Sequence, residues 1–153
     1  MATHDEICET IAAAFADAEM PCSEKDLTTG GIDGPYAVEH FLGKRQVDVE
    51  SHFLPSLHME DFSYMTTRAV AYYLPAVLRL MMKTPYDSEL WIFLHGFLKP
   101  REGRYAPGVR ELEPRQLQAI SEWASYLHDE WHANPPALID PRDALKLVAA
   151  YRQ

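Results

Sequence analysis

The sequence predicts an all-α fold, an irregular bundle of about five to seven helices packed around a central helix that carries a proline in its middle. Apolar residues recur at three- and four-residue spacing along most of the chain, and no segment sustains a two-residue alternation. Capping and stop residues stand where those periodic stretches begin and end. The 47% apolar and 24% charged fractions of the 153 residues are those of one globular domain, residues 1–153, long enough to bury a core without metal or disulfide staples.

The first helix is expected over about residues 4–19. Thr3 followed by Glu6 is a capping-box pattern. Ile7, Ile11, Ala14, Phe15 and Ala18 form an apolar stripe, and Asp5, Glu6, Glu9 and Asp17 share the opposite face. "MPCSEKDLTTGGIDGP" then reads as a long loop; its glycines lack the Gly-Lys-Ser/Thr ending that a phosphate-cradling loop requires. "PYAVEHFLGK" is a short helix with proline at its first position and glycine at its end. "VDVESHFLPSL" fits a strand through Val47 and Val49 and a helix through Val49, Phe53 and Leu54; it is taken as a short helix.

The central helix runs from Thr66 or Thr67, as cap, to Lys83. On a wheel of about 100° per residue, Val70, Tyr73, Leu74, Val77, Leu80 and Met81 form the buried arc. Arg68, Tyr72, Arg79 and Lys83 form the wet stripe, with Pro75 at its edge. The missing N–H of Pro75 frees the carbonyl of Ala71, and the resulting bend is expected to wrap the helix around the core with that carbonyl reachable by water. A further helix fits residues 87–99, followed by the loop "PREGRYAPGVRELE". Glu113-Pro114 opens a long helix to about His132, stopped by "NPP", and Asp140-Pro141 opens the last one.

"AVAYYLPAVLRLMM", with Phe62, Tyr64 and Thr66 before it and "LEPRQLQAISEWASYL" after it, resembles a family of small bacterial proteins classed as a domain of unknown function. That family shows a Tyr-Tyr-Leu-Pro-Ala helix, a preceding Phe-x-Tyr-x-Thr segment and a later glutamine-containing helix. The likeness spans roughly residues 5–130 and rests on hydrophobic motifs. It implies a helical fold and carries over no catalytic residue.

Charge is unevenly placed. Residues 1–50 hold eleven acidic and three basic side chains and so supply most of the net −9. That asymmetry argues against nucleic acid, whose phosphates need Lys and Arg, and fits a basic protein partner or a merely solvated surface. No apolar run is long enough to span a bilayer, and "MATHDEICET" is acidic where an export signal would be basic, so a cytoplasmic protein is expected. The chain's one basic cluster, Lys99, Arg101, Arg104 and Arg110 around Tyr105, suits an acidic partner or a phosphate.

Candidate chemistry centres on "HDEWH". His128 and His132 stand four residues apart and can share a helix face as metal ligands, but Asp129 replaces the glutamate of a zinc-protease helix and no third ligand is evident. They also suit the last turn of a helix, where cationic histidine is favoured. "HFLPSLHMEDF" brings His52, His58, Glu60 and Asp61 together in sequence without a ligand template. Ser51, Ser56 and Ser63 lie in no nucleophile elbow, and Cys8 and Cys22, without CxxC spacing, read as reduced thiols. Trp91, Trp123 and Trp131 read as core.

The expected function is a non-enzymatic bacterial immunity protein that neutralises a cognate secreted toxin, with no cofactor and no catalytic residue. Its partner-contacting residues are Asp5, Glu6, Glu9, Asp17, Arg101 and Arg104. The alternative is a metal-dependent hydrolase built on His128 and His132.

Overall fold

Ten helical segments make up the computed structural model, which describes all 153 residues. In chain order they are α1 (His4–Ala14), α2 (Glu24–Leu27), α3 (Gly34–Phe41), α4 (Gln46–His52), α5 (Pro55–Phe62), α6 (Thr67–Lys83), α7 (Ser88–Leu98), α8 (Pro107–Arg110), α9 (Pro114–Ala133) and α10 (Pro141–Tyr151). The all-α architecture is as expected, and the number of helices exceeds the five to seven expected because α2, α5 and α8 are additional.

Each addition has a local cause. Ser23, inside the expected long loop, accepts from the Asp26 N–H and so caps the single turn of α2. Leu54 precedes a proline, a position that disfavours helix, and it is extended (φ −112°, ψ 104°). The expected single helix around residue 50 therefore breaks there, and Pro55 starts α5 in its first turn. Pro107 does the same for α8. Gly108 lets that turn approach α6, because a Cβ there would lie 2.4 Å from Val70 and 3.0 Å from the Met65 carbonyl.

Capping was otherwise legible in the chain. Thr3 and Glu6 form their reciprocal capping box, the Thr66 hydroxyl accepts from the Ala69 N–H, and Asp87 accepts from the Leu90 N–H. α1 stops at Ala14 rather than at residue 19. Beyond it the backbone tightens into three-residue turns (Ala16 N–H to Ala13, Ala18 N–H to Phe15), which tuck the Phe15 ring into the core.

α6 is the centre of the molecule, touched by α1, α2, α4, α7 and α8, while α9 packs on α1 and α10, and α5 on α7. All three tryptophans are buried. The Trp123 indole N–H donates to the Leu78 carbonyl (3.0 Å) and that of Trp131 to the Pro85 carbonyl (2.8 Å), so neither ring leaves a polar atom stranded. The hydroxyl of Tyr73 donates to the Phe41 and Lys44 carbonyls, and that of Tyr151 to the Leu98 carbonyl.

Pro75 is buried, not at a wet edge. The side of α6 that holds Tyr72, Pro75, Arg79 and Lys83 is overlaid by α4, while Arg68 at its start reaches Glu19 and Asp26 instead. Gln46 donates its amide to the Tyr72 carbonyl (2.6 Å) and accepts from Arg79 (3.1 Å), and Glu50 meets Lys83 at 2.7 Å. α6 runs unbroken through the proline, and a side chain from α4 reaches its backbone next to the gap. Leu80, placed in the buried arc by the wheel, is only half-buried, whereas Ala71, Leu78 and Met82 are buried.

No helix is long and apolar enough to cross a membrane. Cys8 and Cys22 are both free thiols.

Candidate functional site

The acidic residues singled out in the first helix are all exposed, but they are not equivalent. Glu6 is engaged in capping, its carboxylate accepting from the Thr3 N–H at 3.3 Å. Asp17 lies beyond the end of α1 and pairs with Arg115 at 2.9 Å, which also holds Glu113 at 2.7 Å. Asp5 and Glu9 stand on the outer face of α1. The tertiary structure adds members to this surface: Asp17, Glu19, Glu111 and Glu113 line one cleft of about 270 Å³ between the end of α1 and the start of α9. Arg68 is the cation in its wall, 3.6 Å from Glu19 and 3.5 Å from Asp26.

Arg101 and Arg104 do not join that surface. With Lys99 and Arg110 they line a different cleft, of about 340 Å³, whose wall includes Tyr105 and Gly96 and shares no residue with the acidic one. Arg110 is fixed by donating its Nε–H to the Tyr105 carbonyl (2.8 Å). The Tyr105 hydroxyl is tied to the Ala150 carbonyl (2.6 Å), which roots the loop on α10.

His128 and His132 share a face of α9, with ring centroids 6.1 Å apart and stacked. His128 is near Asp129 at 3.6 Å. No group of three or more His, Cys, Asp and Glu side chains comes together as a metal cage anywhere in the chain.

The "HFLPSLHMEDF" group is dispersed by its helices. His52 bonds the Asp48 carbonyl, and His58 accepts from the Leu54 N–H (2.9 Å) as a local cap on α5. Burial holds the His58 imidazole below its usual pKa. Asp61 points the other way and meets His40 of α3 at 2.6 Å, a contact invisible in sequence because 21 residues separate the two. Asp61 is only 4% exposed, and burial pushes its carboxyl above the ordinary range even though the His40 bond pulls the other way. Tyr36, Asp33 and Glu60 complete a cleft of about 230 Å³ at this pair. Such a dyad orients an imidazole, but no serine, cysteine or threonine lines the cleft with it.

Compared with known protein families, curated proteins and solved structures, the chain matches none.

Proposed function

We propose that this protein acts by binding rather than by catalysis, taking up a basic protein partner on its acidic surface. The observation that carries this reading is the convergence of Asp17 and Glu19 with Glu111 and Glu113 around one exposed cleft, adjoining a helix whose Asp5 and Glu9 also face solvent. Four carboxylates against the single Arg68 leave the lining net negative, and such a surface speeds the approach of an oppositely charged partner. In its concrete form this is an immunity protein of a bacterium, occluding a basic toxin inside the producing cell.

The test uses Asp5→Lys, Glu9→Lys and Glu111→Lys together. Glu6 is left in place because it caps α1. These exposed changes should leave the melting temperature nearly unchanged. Immobilised wild-type protein should retain a basic protein from the secreted fraction of the source organism at low salt and release it as salt rises, and the triple variant should not. Equal retention by wild type and variant, insensitive to salt, would sink the proposal.

A further inference from the structure

The second cleft gathers four of the 14 lysines and arginines of a chain with 23 acidic residues. Arg45, Arg68, Arg79, Arg115 and Arg142 each reach a carboxylate, whereas Lys99, Arg101, Arg104 and Arg110 reach none, as is also true of the scattered Lys25, Lys44 and Arg152. They face a common space instead.

A tight turn sets two of them side by side. Arg101 and Arg104 exchange both backbone hydrogen bonds (2.8 and 2.9 Å), with Glu102 (φ 53°) and Gly103 (φ 75°) between them. Two left-handed residues in sequence are the signature of a two-residue hairpin turn. Residues paired in this way have Cα atoms about 5.5 Å apart and leave the ribbon on one face, where like charges repel. Glu102 adds strain, since a residue with a Cβ rarely adopts a positive φ.

The third feature lies across the cleft. Gly96 sits inside α7, a position where glycine weakens a helix, yet a Cβ there would meet nothing within 4 Å. Nothing in the fold itself requires the glycine. It does leave the groove floor bare, as a close-approaching ligand requires. A second cleft of about 320 Å³ shares Ser63, Gly96, Phe97 and Arg101 with the first and is walled by Met59, Ile92 and Phe93, with Ser56 and Glu60 on its α5 side. Ile92 is 59% exposed and Phe93 38% exposed. The two are one groove with a cationic end and a mixed end whose α7 side, Ile92 and Phe93, is apolar. A strained turn and an unneeded glycine each oppose local stability beside four clustered like charges, and such conflicts gather where a sequence serves function rather than folding.

We propose that this groove binds a phosphate monoester with an apolar organic part. The phosphate, carrying close to two negative charges and three acceptor oxygens, sits among Arg101, Arg104, Arg110 and Lys99. The apolar body crosses Gly96 onto Ile92 and Phe93. This site is independent of the acidic surface. Soluble aryl phosphates and the lipid phosphatidic acid offer the same chemistry.

Calorimetry with inorganic phosphate, 1-naphthyl phosphate and 1-naphthol tests the two ends of the groove. Naphthyl phosphate should bind one to one, about tenfold or more tighter than either fragment, as expected when charge and apolar contacts are both used. Arg101→Gln with Arg104→Gln should weaken it about tenfold or more with an unchanged melting temperature, since both side chains are exposed. Gly96→Ala should raise the melting temperature and weaken binding, whereas a glycine needed for folding would show a lower melting temperature, which would remove it from the site. Flotation with phosphatidylcholine vesicles, with and without phosphatidic acid, separates the sources: capture that depends on phosphatidic acid and is lost in the double variant assigns the lipid, and naphthyl phosphate binding without capture assigns a soluble ligand. Absence of both naphthyl phosphate binding and capture overturns the proposal, as does binding that ignores the arginine substitutions.

Discussion

His40 and Asp61 show how much one contact can decide. A carboxylate that is 4% exposed needs a partner, and His40 at 2.6 Å is the side chain that supplies it. His40→Ala should cost about 3 kcal/mol at neutral pH, the scale of stranding one member of a buried pair. The pH dependence follows from the raised Asp61 carboxyl. A carboxyl that binds its proton more tightly when folded opposes folding above its folded pKa, and that opposition fades as pH falls towards the unfolded value of 3.8. The deficit of the variant should therefore shrink on acidification, which urea denaturation at pH 7 and pH 5 measures; a deficit independent of pH would show that lost packing, not lost charge pairing, is responsible. His128 and His132 call for a different measurement. Two stacked imidazoles without a third ligand make a poor zinc site, so protein dialysed against buffer should retain no stoichiometric zinc by elemental analysis. Retention of about one zinc per chain, abolished in His128→Ala, would revive a metal-dependent chemistry.

At the scale of the element, Pro75 in α6 turns on what lies against it. The penalty of roughly 3 kcal/mol for an internal proline applies to a ring forced into a straight helix. Here α4 is already fitted along that side, with Gln46 bonded to the Tyr72 carbonyl beside the gap. Removing the ring would leave a void where it is buried. Pro75→Ala is expected to lower stability by about 1 kcal/mol, the lost apolar burial of the ring outweighing the one restored hydrogen bond. Partner binding should be unchanged. A gain of stability in denaturant titration would mean that the strain of the ring, not its burial, dominates.

Over the whole molecule, burial of titratable groups sets the response to acid. His58 and His95 are both held below their usual pKa by burial. His95 stacks on Trp91 with a buried Nε2 that has no partner, and Lys99 and Lys146 depress it further while Asp143 opposes them. For such histidines the unfolded chain takes up protons first, so stability is lost as pH falls below the unfolded value of 6.5. Asp61 works in the opposite sense, one group against two histidines. The urea midpoint should therefore fall between pH 7.5 and pH 5.5. His95→Phe, which keeps the stacking on Trp91 and removes the stranded nitrogen, should flatten that profile and raise stability at neutral pH by about 1 kcal/mol. A profile as steep as that of the wild type would relieve His95 of this role.

Seven of the ten helices, several of their starts and the placing of all three tryptophans in the core follow from the chain alone, because those signals act within a turn or two: Thr3 with Glu6, a threonine before the central helix, Pro114 and Pro141 at helix starts. Residues 1–50 likewise announce an acidic molecule before any folding is considered. What the wheel could not decide was whether Pro75 faces water, since that depends on where α4 settles and not on α6 itself. The sites depend on packing in the same way. Asp17 and Glu113 come to share Arg115 and one cleft, His40 meets Asp61, and Arg101 and Arg104 share a groove with Gly96 only after α1 has docked on α9, α3 on α5, and α5 on α7. Periodicity and capping report the local backbone, whereas a cleft belongs to segments distant in the chain whose proximity arises from burying apolar surface elsewhere.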